Sequence, residues 1–272
     1  TIASVGSKSL PVIISTISTS LITAFAVMKI AKIKPKTACL IGVGSSICGG
    51  SAIAATAPVI DADDEEIAQS ISVIFLFNIL AALIFPTFGH AVGFGTEGFA
   101  VFAGTAVNDT SSVTATAATA EKIWNANGIL STAVTVKLTR TLAIIPITLC
   151  LAIYRTHKAK SIGAKGSSFS FKKIFPWFIL FFIGASLVST LVGFIPQCSF
   201  TEFYSNGFVP LMKWLATFFI SMAMGAIGLN TNIVKLIKSG AKPIILGFCC
   251  WIAISAVSIG VQQLTGIFSS NL

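Results

Sequence analysis

Charged residues are scarce in this 272-residue chain, where they make up 10% of the sequence. An ordinary soluble domain has roughly 25%. Hydrophobic residues make up 54%, and the mean hydropathy is +0.91. A soluble fold needs more polar surface than this to cover its core, so the composition excludes a soluble enzyme, a disordered chain and a secreted disulfide scaffold. It predicts an all-α, polytopic membrane protein in contact with the lipid bilayer.

The sequence also lacks the signatures of common catalytic and cofactor sites. No pair of its six cysteines has C-x-x-C spacing, so we expect reduced cysteines that mostly pack. A Walker loop, a Rossmann fingerprint, zinc-ligand spacing and a Ser/His/Asp arrangement are absent. We therefore expect no enzyme activity, no metal and no cofactor. The net charge of +9 comes from short basic clusters between apolar runs, which fits a membrane topology better than a nucleic-acid partner.

Intervals almost free of charge divide the chain into eight membrane segments, since a spanning helix needs about 20 mostly apolar residues. We expect all eight to be helical, because backbone polar groups cannot stay unpaired in lipid. Together they form one membrane domain over residues 1–272. The predicted segments are 9–28, 38–59, 67–88, 98–120, 129–153, 174–196, 209–229 and 243–266.

Basic residues predict the orientation of these segments. Lysines and one arginine follow segments one, five and seven, so these three loops share the cytoplasmic side of the membrane. An alternative topology gives the same result. If segments two and four were re-entrant hairpins, two crossings would be lost and every basic loop would stay cytoplasmic. Both segments carry small polar residues in mid-run, where broken helices or hairpins are built, so both topologies stay open.

Segments two and four align without a gap at an offset of sixty residues, with Gly44–Ala57 over Gly104–Ala117. Five of the fourteen pairs are identical in this alignment, which indicates an internal duplication. A shorter likeness joins the two ends of the chain, where Val5–Ile14 resembles Ile237–Ile245. Segments one and eight run in opposite directions, as an inverted-topology repeat of a secondary transporter requires.

The first candidate site lies in segment two, where four glycines fall within ten residues and each weakens a helix by roughly 1 kcal/mol relative to alanine. An unwound stretch here would free backbone groups, and the half-helix after it would direct its positive end at an anion. Close helix packing through small residues is the alternative. The residues predicted to bind substrate are Ser45, Ser46, Cys48, Gly49, Gly50 and Ser51.

The second candidate site lies in segment four, at Asn108, Thr110, Ser111 and Ser112 around Asp109. Asp109 is the one charge of this segment, and a charge at the bilayer centre costs about 2.5–3.5 kcal/mol on insertion scales. This cost favours a functional role, and we expect Asp109 to bind a coupling proton. A static partner for a buried cation is the alternative.

The third candidate site lies in segment five, where Lys137 and Arg140 share one helix face. A rise of 1.5 Å per residue places Asp109 and Arg140 each about 18 Å from the turn between the two segments, and therefore at one depth. Arginine offers a bidentate fork for an oxyanion, so we expect Arg140 to contact substrate and Lys137 to take part in coupling. Mutual neutralisation with Asp109 is the alternative. Asn78 and Gln69 either line the pathway or bridge helices.

Several motifs resemble those of the YeiH family. IGVGSSICGGSAIAATAPVI at 41–60 resembles its signature, and FAGTAVNDTSSVTATA at 102–117 resembles a second one, in which the family often has a His-Asp pair. Asn108 replaces that histidine, which argues against a histidine-based proton role. VKLTR at 136–140, MAMGAIGLNTNI at 222–233 and GAKPIILG at 240–247 also match family positions. The family is longer at the N-terminus, so we expect further helices before Thr1.

The resemblance implies a fold similar to the cation/proton antiporter and anion-transporter superfamily, with inverted repeats and discontinuous or re-entrant helices. The resemblance also implies a bacterial inner membrane protein. Sulfate export is the family's usual label. The leading hypothesis is a secondary active transporter of a small anion such as sulfate or a sulfonate. The alternatives are a proton- or sodium-coupled cation antiporter and a membrane scaffold without transport. The sequence leaves a homodimer open.

Overall fold

The computed structural model describes residues 2–161, 184, 187–194, 196, 199–212, 214–215, 218–219, 222 and 241–272. The chain divides into two compact units, one of residues 1–166 with 233–272 and one of residues 167–232. The first unit holds six of the eight predicted membrane segments. Predicted segments six and seven, 174–196 and 209–229, lie largely outside the described residues.

The secondary-structure elements in the described part of the first unit are all helices, as the composition predicts. Its helices are α1 (Ile2–Ala31), α2 (Pro35–Ser46), α3 (Gly50–Thr56), α4 (Asp64–Val92), α5 (Thr96–Ala106), α6 (Thr110–Trp124), α7 (Ile129–Thr141), α8 (Ile144–Ser161) and α10 (Lys242–Thr265). In the second unit, α9 (Ser199–Glu202) runs directly into a π-helical turn, Phe203–Phe208. These are the helices of a polytopic membrane protein.

Four stretches among the described residues are long and apolar enough to cross a membrane: Ser9–Ala31, Asp64–Val92, Ile129–Leu151 and Lys242–Thr265. A span needs about 20 such residues. The third stretch combines α7 and α8, which are joined at 142–143. These spans correspond to predicted segments one, three, five and eight.

The spans have a basic end, defined by Lys32, Lys34 and Lys242, which line one cavity together with Glu65 and Glu66 of α4. Helix α1 therefore finishes at this end, and α4 and α10 begin there. Asp63 and Glu66 form a capping box that fixes the start of α4, with Glu66 N–H 2.7 Å from Asp63 Oδ1.

The opposite end of the spans is defined by the residues that follow α4 and α10. The amide of Gly95 donates to the carbonyl oxygen of Phe268 at 2.9 Å, and that of Glu97 donates to Ser270 at 3.1 Å. Helix α7 also begins at this end, because Leu272 lies against Gly128. Helices α1 and α10 thus run in opposite directions, as predicted for segments one and eight.

Predicted segment two is a re-entrant hairpin that enters from the basic end. Lys36, in the first turn of α2, donates from Nζ to the carbonyl oxygen of Asp61, beyond α3, at 2.5 Å. Near the tip of the hairpin, a Cβ placed on Gly44 would lie 3.0 Å from Ile53 Cδ1. Helix α3 therefore folds back along α2, and both ends of the segment lie on one side.

Predicted segment four is a second hairpin, which enters from the opposite end. Phe99, in the first turn of α5, packs on Trp124, the last residue of α6, with ring centroids 4.6 Å apart. The Trp124 indole N–H also donates to the carbonyl oxygen of Pro86, near the end of α4, at 3.1 Å. The structure thus matches the hairpin alternative for both segments, and the acidic loop 61–66 lies at the basic end.

The order of elements is an inverted repeat. Hairpin α2–α3 is followed by the span α4, and hairpin α5–α6 is followed by the span α7–α8. The two hairpins enter from opposite ends, so the two repeats have opposite orientation. The sequence likeness at an offset of sixty residues therefore falls between two inverted halves of one bundle.

Candidate functional site

The two hairpins break at equivalent positions. Helices α2 and α5 end at Ser46 and Ala106, and α3 and α6 begin at Gly50 and Thr110, so each boundary recurs after sixty residues. The breaks are therefore residues 47–49 and 107–109. Each break leaves carbonyl oxygens at the end of one half-helix and N–H groups at the start of the next without helical partners.

Arg140 binds the ends of both first half-helices. Its side chain is completely buried. Nε donates to Ser46 O at 2.7 Å and Nη2 donates to Ser45 O at 2.7 Å, while Nη1 donates to Thr105 O at 2.6 Å. Since Thr105 is the counterpart of Ser45, one guanidinium serves equivalent carbonyl groups in the two hairpins. A cation at a helix C-terminus also complements the negative end of the helix dipole.

Lys137 lies one turn before Arg140 and is also completely buried. Its Nζ donates to Ile47 O at 2.6 Å and to Val107 O at 3.0 Å. These two carbonyl groups are again sixty residues apart, so Lys137 bridges equivalent points of the two breaks. An ammonium has three N–H donors, and these contacts use two of them.

Asp109 caps the second half-helix of the second hairpin. One carboxylate oxygen accepts from Ser111 N at 3.0 Å and Ser112 N at 3.4 Å, and it also accepts from the Ser111 hydroxyl. A negative charge at a helix N-terminus is favourable because it meets unpaired N–H groups and the positive dipole end. The half-buried carboxylate of Asp109 thus has its contacts on α6.

Gly49 holds the counterpart position in the first hairpin and has a different geometry. Its φ of +68° and ψ of −124° are accessible to glycine and costly for other residues. Helix α3 has no side-chain cap at this position. A Cβ on Gly49 would lie 3.7 Å from Asp109 Cβ and 3.7 Å from Asn78 Nδ2, so the two breaks and α4 come together here.

Asn78 and Asn108 bring two unpaired amide atoms to this junction. Both side chains are 1% exposed. Asn78 Oδ1 accepts from the Asn108 backbone N–H at 3.0 Å, which fixes the orientation of the Asn78 amide. Its Nδ2 is consequently a buried donor without a partner, and Asn108 Oδ1 is a buried acceptor without one. Such groups are costly unless something binds them.

The predicted site residues gather at the two breaks, with different accessibility. Ser45, Ser46, Cys48, Gly49 and Asn108 are buried, whereas Ser51 and Ser111 are exposed and Gly50, Thr110 and Ser112 are intermediate. The Ser46 hydroxyl donates to Val43 O at 2.9 Å within its own helix. Arg140 and Lys137 contact carbonyl oxygens, so the predicted roles of Arg140 toward an anion and of Lys137 in coupling stay predictions.

Two polar residues near the breaks, Ser258 and Gln262, were missing from the predicted site, whereas Asn78 was predicted either to line the pathway or to bridge helices. Ser258 of α10 shares a 2.8 Å hydrogen bond between hydroxyl groups with Thr105, and Gln262 Nε2 donates to Ser258 Oγ at 3.1 Å. A sequence signal for Ser258 and Gln262 was available. Together with Ser255 they have the spacing of one face of an otherwise apolar helix. Among the described residues, no three His, Cys, Asp or Glu side chains are placed to hold a metal.

Comparison with known proteins assigns the family. The model of the family described as Conserved hypothetical protein 698 matches residues 1–247. The chain belongs to this family. It is the family that the motifs around residues 41–60 and 102–117 resemble, so the recognition from sequence is confirmed.

Relatives in this family are bacterial membrane proteins. UPF0324 membrane protein FN0533 of Fusobacterium nucleatum subsp. nucleatum is 61% identical over 273 residues, covering 98% of this chain and 78% of the relative. A UPF0324 membrane protein of Streptococcus mutans serotype c is 58% identical over 270 residues, covering 98% and 76%. Another, SAG1125 of Streptococcus agalactiae serotype V, is 58% identical over 262 residues, covering 96% and 75%. No solved structure matches the chain.

Proposed function

We propose that this protein is a secondary active transporter of a small anion, with its site where the two hairpin breaks meet. The observation that carries the proposal is the convergence of both breaks on two buried cations, Lys137 and Arg140. Discontinuous helices in inverted repeats place substrate and ion sites of secondary transporters at such a junction. Transport is proposed here in preference to an enzymatic or scaffold role.

The charge of the junction favours an anion as substrate. In transporters of this kind, coupling Na⁺ is often held by carbonyl groups at half-helix C-termini. Here Arg140 and Lys137 already bind those carbonyl groups in both hairpins. Two cations against the single carboxylate of Asp109 leave an excess of positive charge at the junction.

Two donors are the proposed contacts of the anion. The third N–H of Lys137 and the unpaired Nδ2 of Asn78 are both buried at the junction. An anion bound between them would satisfy the donor that the folded chain leaves unpaired, and a hydrogen bond to a charged group contributes about 1.5–3 kcal/mol. Sulfate or a related oxyanion is the proposed substrate class, as the family resemblance implies.

Asp109 is the proposed coupling residue. Its carboxylate already occupies the N-terminus of α6, where an anion would bind favourably. Protonation of Asp109 would weaken this cap and reduce the repulsion between its charge and an incoming anion. Proton uptake and anion binding would then favour each other. The hairpins, which enter from opposite ends, supply the two access routes of an alternating-access cycle in a bacterial inner membrane.

Counterflow of radiolabelled sulfate into proteoliposomes tests this proposal. The rate of counterflow is compared between the full parent chain and Asn78→Asp. The substitution keeps the oxygen that accepts from Asn108 N–H and replaces the unpaired donor by a negative charge. We expect sulfate counterflow to fall at least about tenfold, since loss of one charge-assisted hydrogen bond costs about that factor. Asn125→Asp is the matched control, because Asn125 is exposed in the α6–α7 turn.

The same experiment separates the cation alternative. The half-buried carboxylate of Asp109 is the feature that favours a proton- or sodium-coupled cation antiporter. That function predicts sodium-driven proton movement in the same vesicles, indifference to sulfate, and no loss in Asn78→Asp. Sulfate counterflow that is equal in the parent and in Asn78→Asp would contradict the proposed anion site.

A further inference from the structure

A cavity at the basic end lies apart from the hairpin breaks. It has a volume of about 210 Å³ and is bounded by the α1–α2 turn and the first turns of α2, α4 and α10. Its basic wall consists of Lys32, Lys34 and Lys242, and Glu65 and Glu66 of α4 line it too. Three lysines against two carboxylates give the cavity an excess of positive charge.

The N-termini of two helices lie at this cavity and have no side-chain caps. Helix α2 follows Lys34, and α10 has Lys242 and Pro243 as its first residues. Neither helix has a side-chain cap or an acidic residue in its first turn, and each has proline there. Their first N–H groups therefore lack side-chain acceptors, and both positive dipole ends lie at the cavity. Helix α4 differs, because Asp63 and Glu66 cap it.

A buried hydroxyl on the cavity wall also lacks a partner. Thr37, in the first turn of α2, is 2% exposed, and its Oγ1 makes no hydrogen bond. A buried hydroxyl normally finds a partner, since burial without one costs free energy. Glu66, a carboxylate of α4 on the same cavity wall, already accepts from the Asp63 backbone N–H at 3.1 Å. An acceptor inside the cavity would satisfy the Thr37 hydroxyl.

We propose that this cavity binds a phosphate group, either the headgroup phosphate of an anionic lipid or free inorganic phosphate. Lysine ammonium groups, uncapped helix N-termini and a hydroxyl donor are the groups that recognise such an oxyanion. The cavity lies at the end of the spans that the positive-inside rule places in the cytoplasm. Basic pockets between membrane helices on that side bind lipid headgroups, so the lipid is the expected source.

Occupation of the cavity would connect α10 to the start of hairpin α2–α3. Lys34 and Thr37 belong to the first half-helix of that hairpin, whereas Lys242 begins the span that packs along α1 and α2. A bound phosphate would bridge them and stabilise the folded state by mass action. The proposal does not depend on the proposed transport function, because none of its residues lies at the breaks.

Ligand-dependent thermal unfolding of the purified full chain in detergent tests this site. The probes are dioctanoyl phosphatidylglycerol, dioctanoyl phosphatidylcholine and inorganic phosphate. We expect phosphatidylglycerol to raise the midpoint in a saturable manner, and Lys34→Gln with Lys242→Gln to raise its apparent Kd about thirtyfold. Thr37→Val removes the hydroxyl with little change in shape and should raise the apparent Kd about tenfold.

Two matched controls separate the cavity from general charge and from general loss of a hydroxyl. Lys29→Gln removes a lysine of the same end that lies over the Phe25 ring, and Thr56→Val removes another buried hydroxyl without a partner. Both should bind the lipid as the parent does. If the double variant fails to fold, Thr37→Val against Thr56→Val decides the test alone.

The pattern across probes identifies the source of the phosphate. A shift with phosphatidylglycerol alone assigns the lipid headgroup, and a shift with inorganic phosphate that is lost in Thr37→Val assigns a soluble anion. Unchanged affinity in Thr37→Val and in the double lysine variant would overturn the proposal. Equal binding of phosphatidylcholine, or an equal loss in Lys29→Gln, would overturn it as well.

Discussion

The two hairpins share a register and differ in what their breaks carry. Each first half-helix ends on the same pair of cations, with Lys137 on Ile47 O and Val107 O. Two residues later the first hairpin has Gly49, with a φ of +68° and no cap, and the second has Asp109, which caps α6. The cation-bound ends of the first half-helices hold the hairpins together. The starts of the second half-helices differ, and there Asp109 gives the junction a carboxylate.

This difference indicates that the two sides of each break have different roles, one in stability and one in coupling. The carbonyl groups of both breaks need hydrogen-bond donors, because buried acceptors without partners are costly. The N-terminal sides of the breaks are free to differ, and there the duplicated segments have diverged. Substitutions should therefore have their largest effect on stability at the cation-bound carbonyl side of the breaks, and effects on coupling should concentrate at the N-terminal side of the second half-helices.

Arg140→Gln should have the largest effect of all. It removes a buried cation that holds both hairpins through three carbonyl groups, and each lost hydrogen bond to a charged group costs about 1.5–3 kcal/mol. Chemical unfolding in detergent measures the loss. Lys122→Gln, exposed on α6, should change stability by less than about 0.5 kcal/mol. If Arg140→Gln were as stable as the parent, Arg140 would not be what holds the two hairpins together.

Lys137→Met should rank second, at about 2–3 kcal/mol, because it leaves two buried carbonyl groups without their charged donor. Hydrogen exchange tests whether Lys137 stabilises both hairpins equally. Protection should fall at residues near both breaks, 47–49 and 107–109, since Lys137 contacts each of them. A loss of protection confined to one hairpin would show that the two contacts are unequal.

Gly49→Ala should cost about 1–3 kcal/mol through backbone strain, because the Cβ itself would make only ordinary contacts of 3.4 Å or more. Gly50→Ala is the matched control. Gly50 lies in the first turn of α3, and its Cβ would meet nothing closer than 3.8 Å. That change should be neutral or slightly stabilising. Equal losses for the two neighbours would rule out the positive φ as the cause.

Asp109→Asn should have the smallest effect on stability. Asparagine caps a helix about as well as aspartate, so we expect a loss below about 1 kcal/mol, with a larger loss of about 1 kcal/mol in Asp109→Ala. Sulfate flux in proteoliposomes at two external pH values gives the functional readout. The parent should respond to a proton gradient and Asp109→Asn should not. A preserved response to the gradient would remove Asp109 from the coupling role.

The sequence indicated which two segments could be broken. Glycine and serine in mid-segment, together with the likeness at sixty residues, favoured broken helices in segments two and four, and the structure has the breaks at 47–49 and 107–109. The shared face of Lys137 and Arg140 also followed from their spacing. Helical rise placed Arg140 at the depth of the second break, where it binds Thr105 O.

The sequence left undecided whether the two broken segments cross the membrane. Hydropathy is the same for a span and for a hairpin, and two hairpins leave every basic loop on the same side. Contacts between distant residues decide the matter, such as Lys36 with Asp61 and Phe99 with Trp124. The orientation of Asn78, and therefore its unpaired donor, depends on one hydrogen bond from another hairpin, which spacing along α4 cannot reveal.

Thiol labelling of intact cells tests most directly whether the two broken segments are hairpins or spans. The loops before and after α4 exchange sides of the membrane between these two topologies. Asp64→Cys and Val92→Cys alter exposed positions at the two ends of α4, and the unsubstituted chain gives the background. With an impermeant maleimide, the hairpin topology predicts that Val92→Cys is labelled in intact cells and that Asp64→Cys is labelled only after permeabilisation. The reverse pattern would mean that both broken segments cross the membrane, and it would contradict the opposed hairpins on which the proposed site depends.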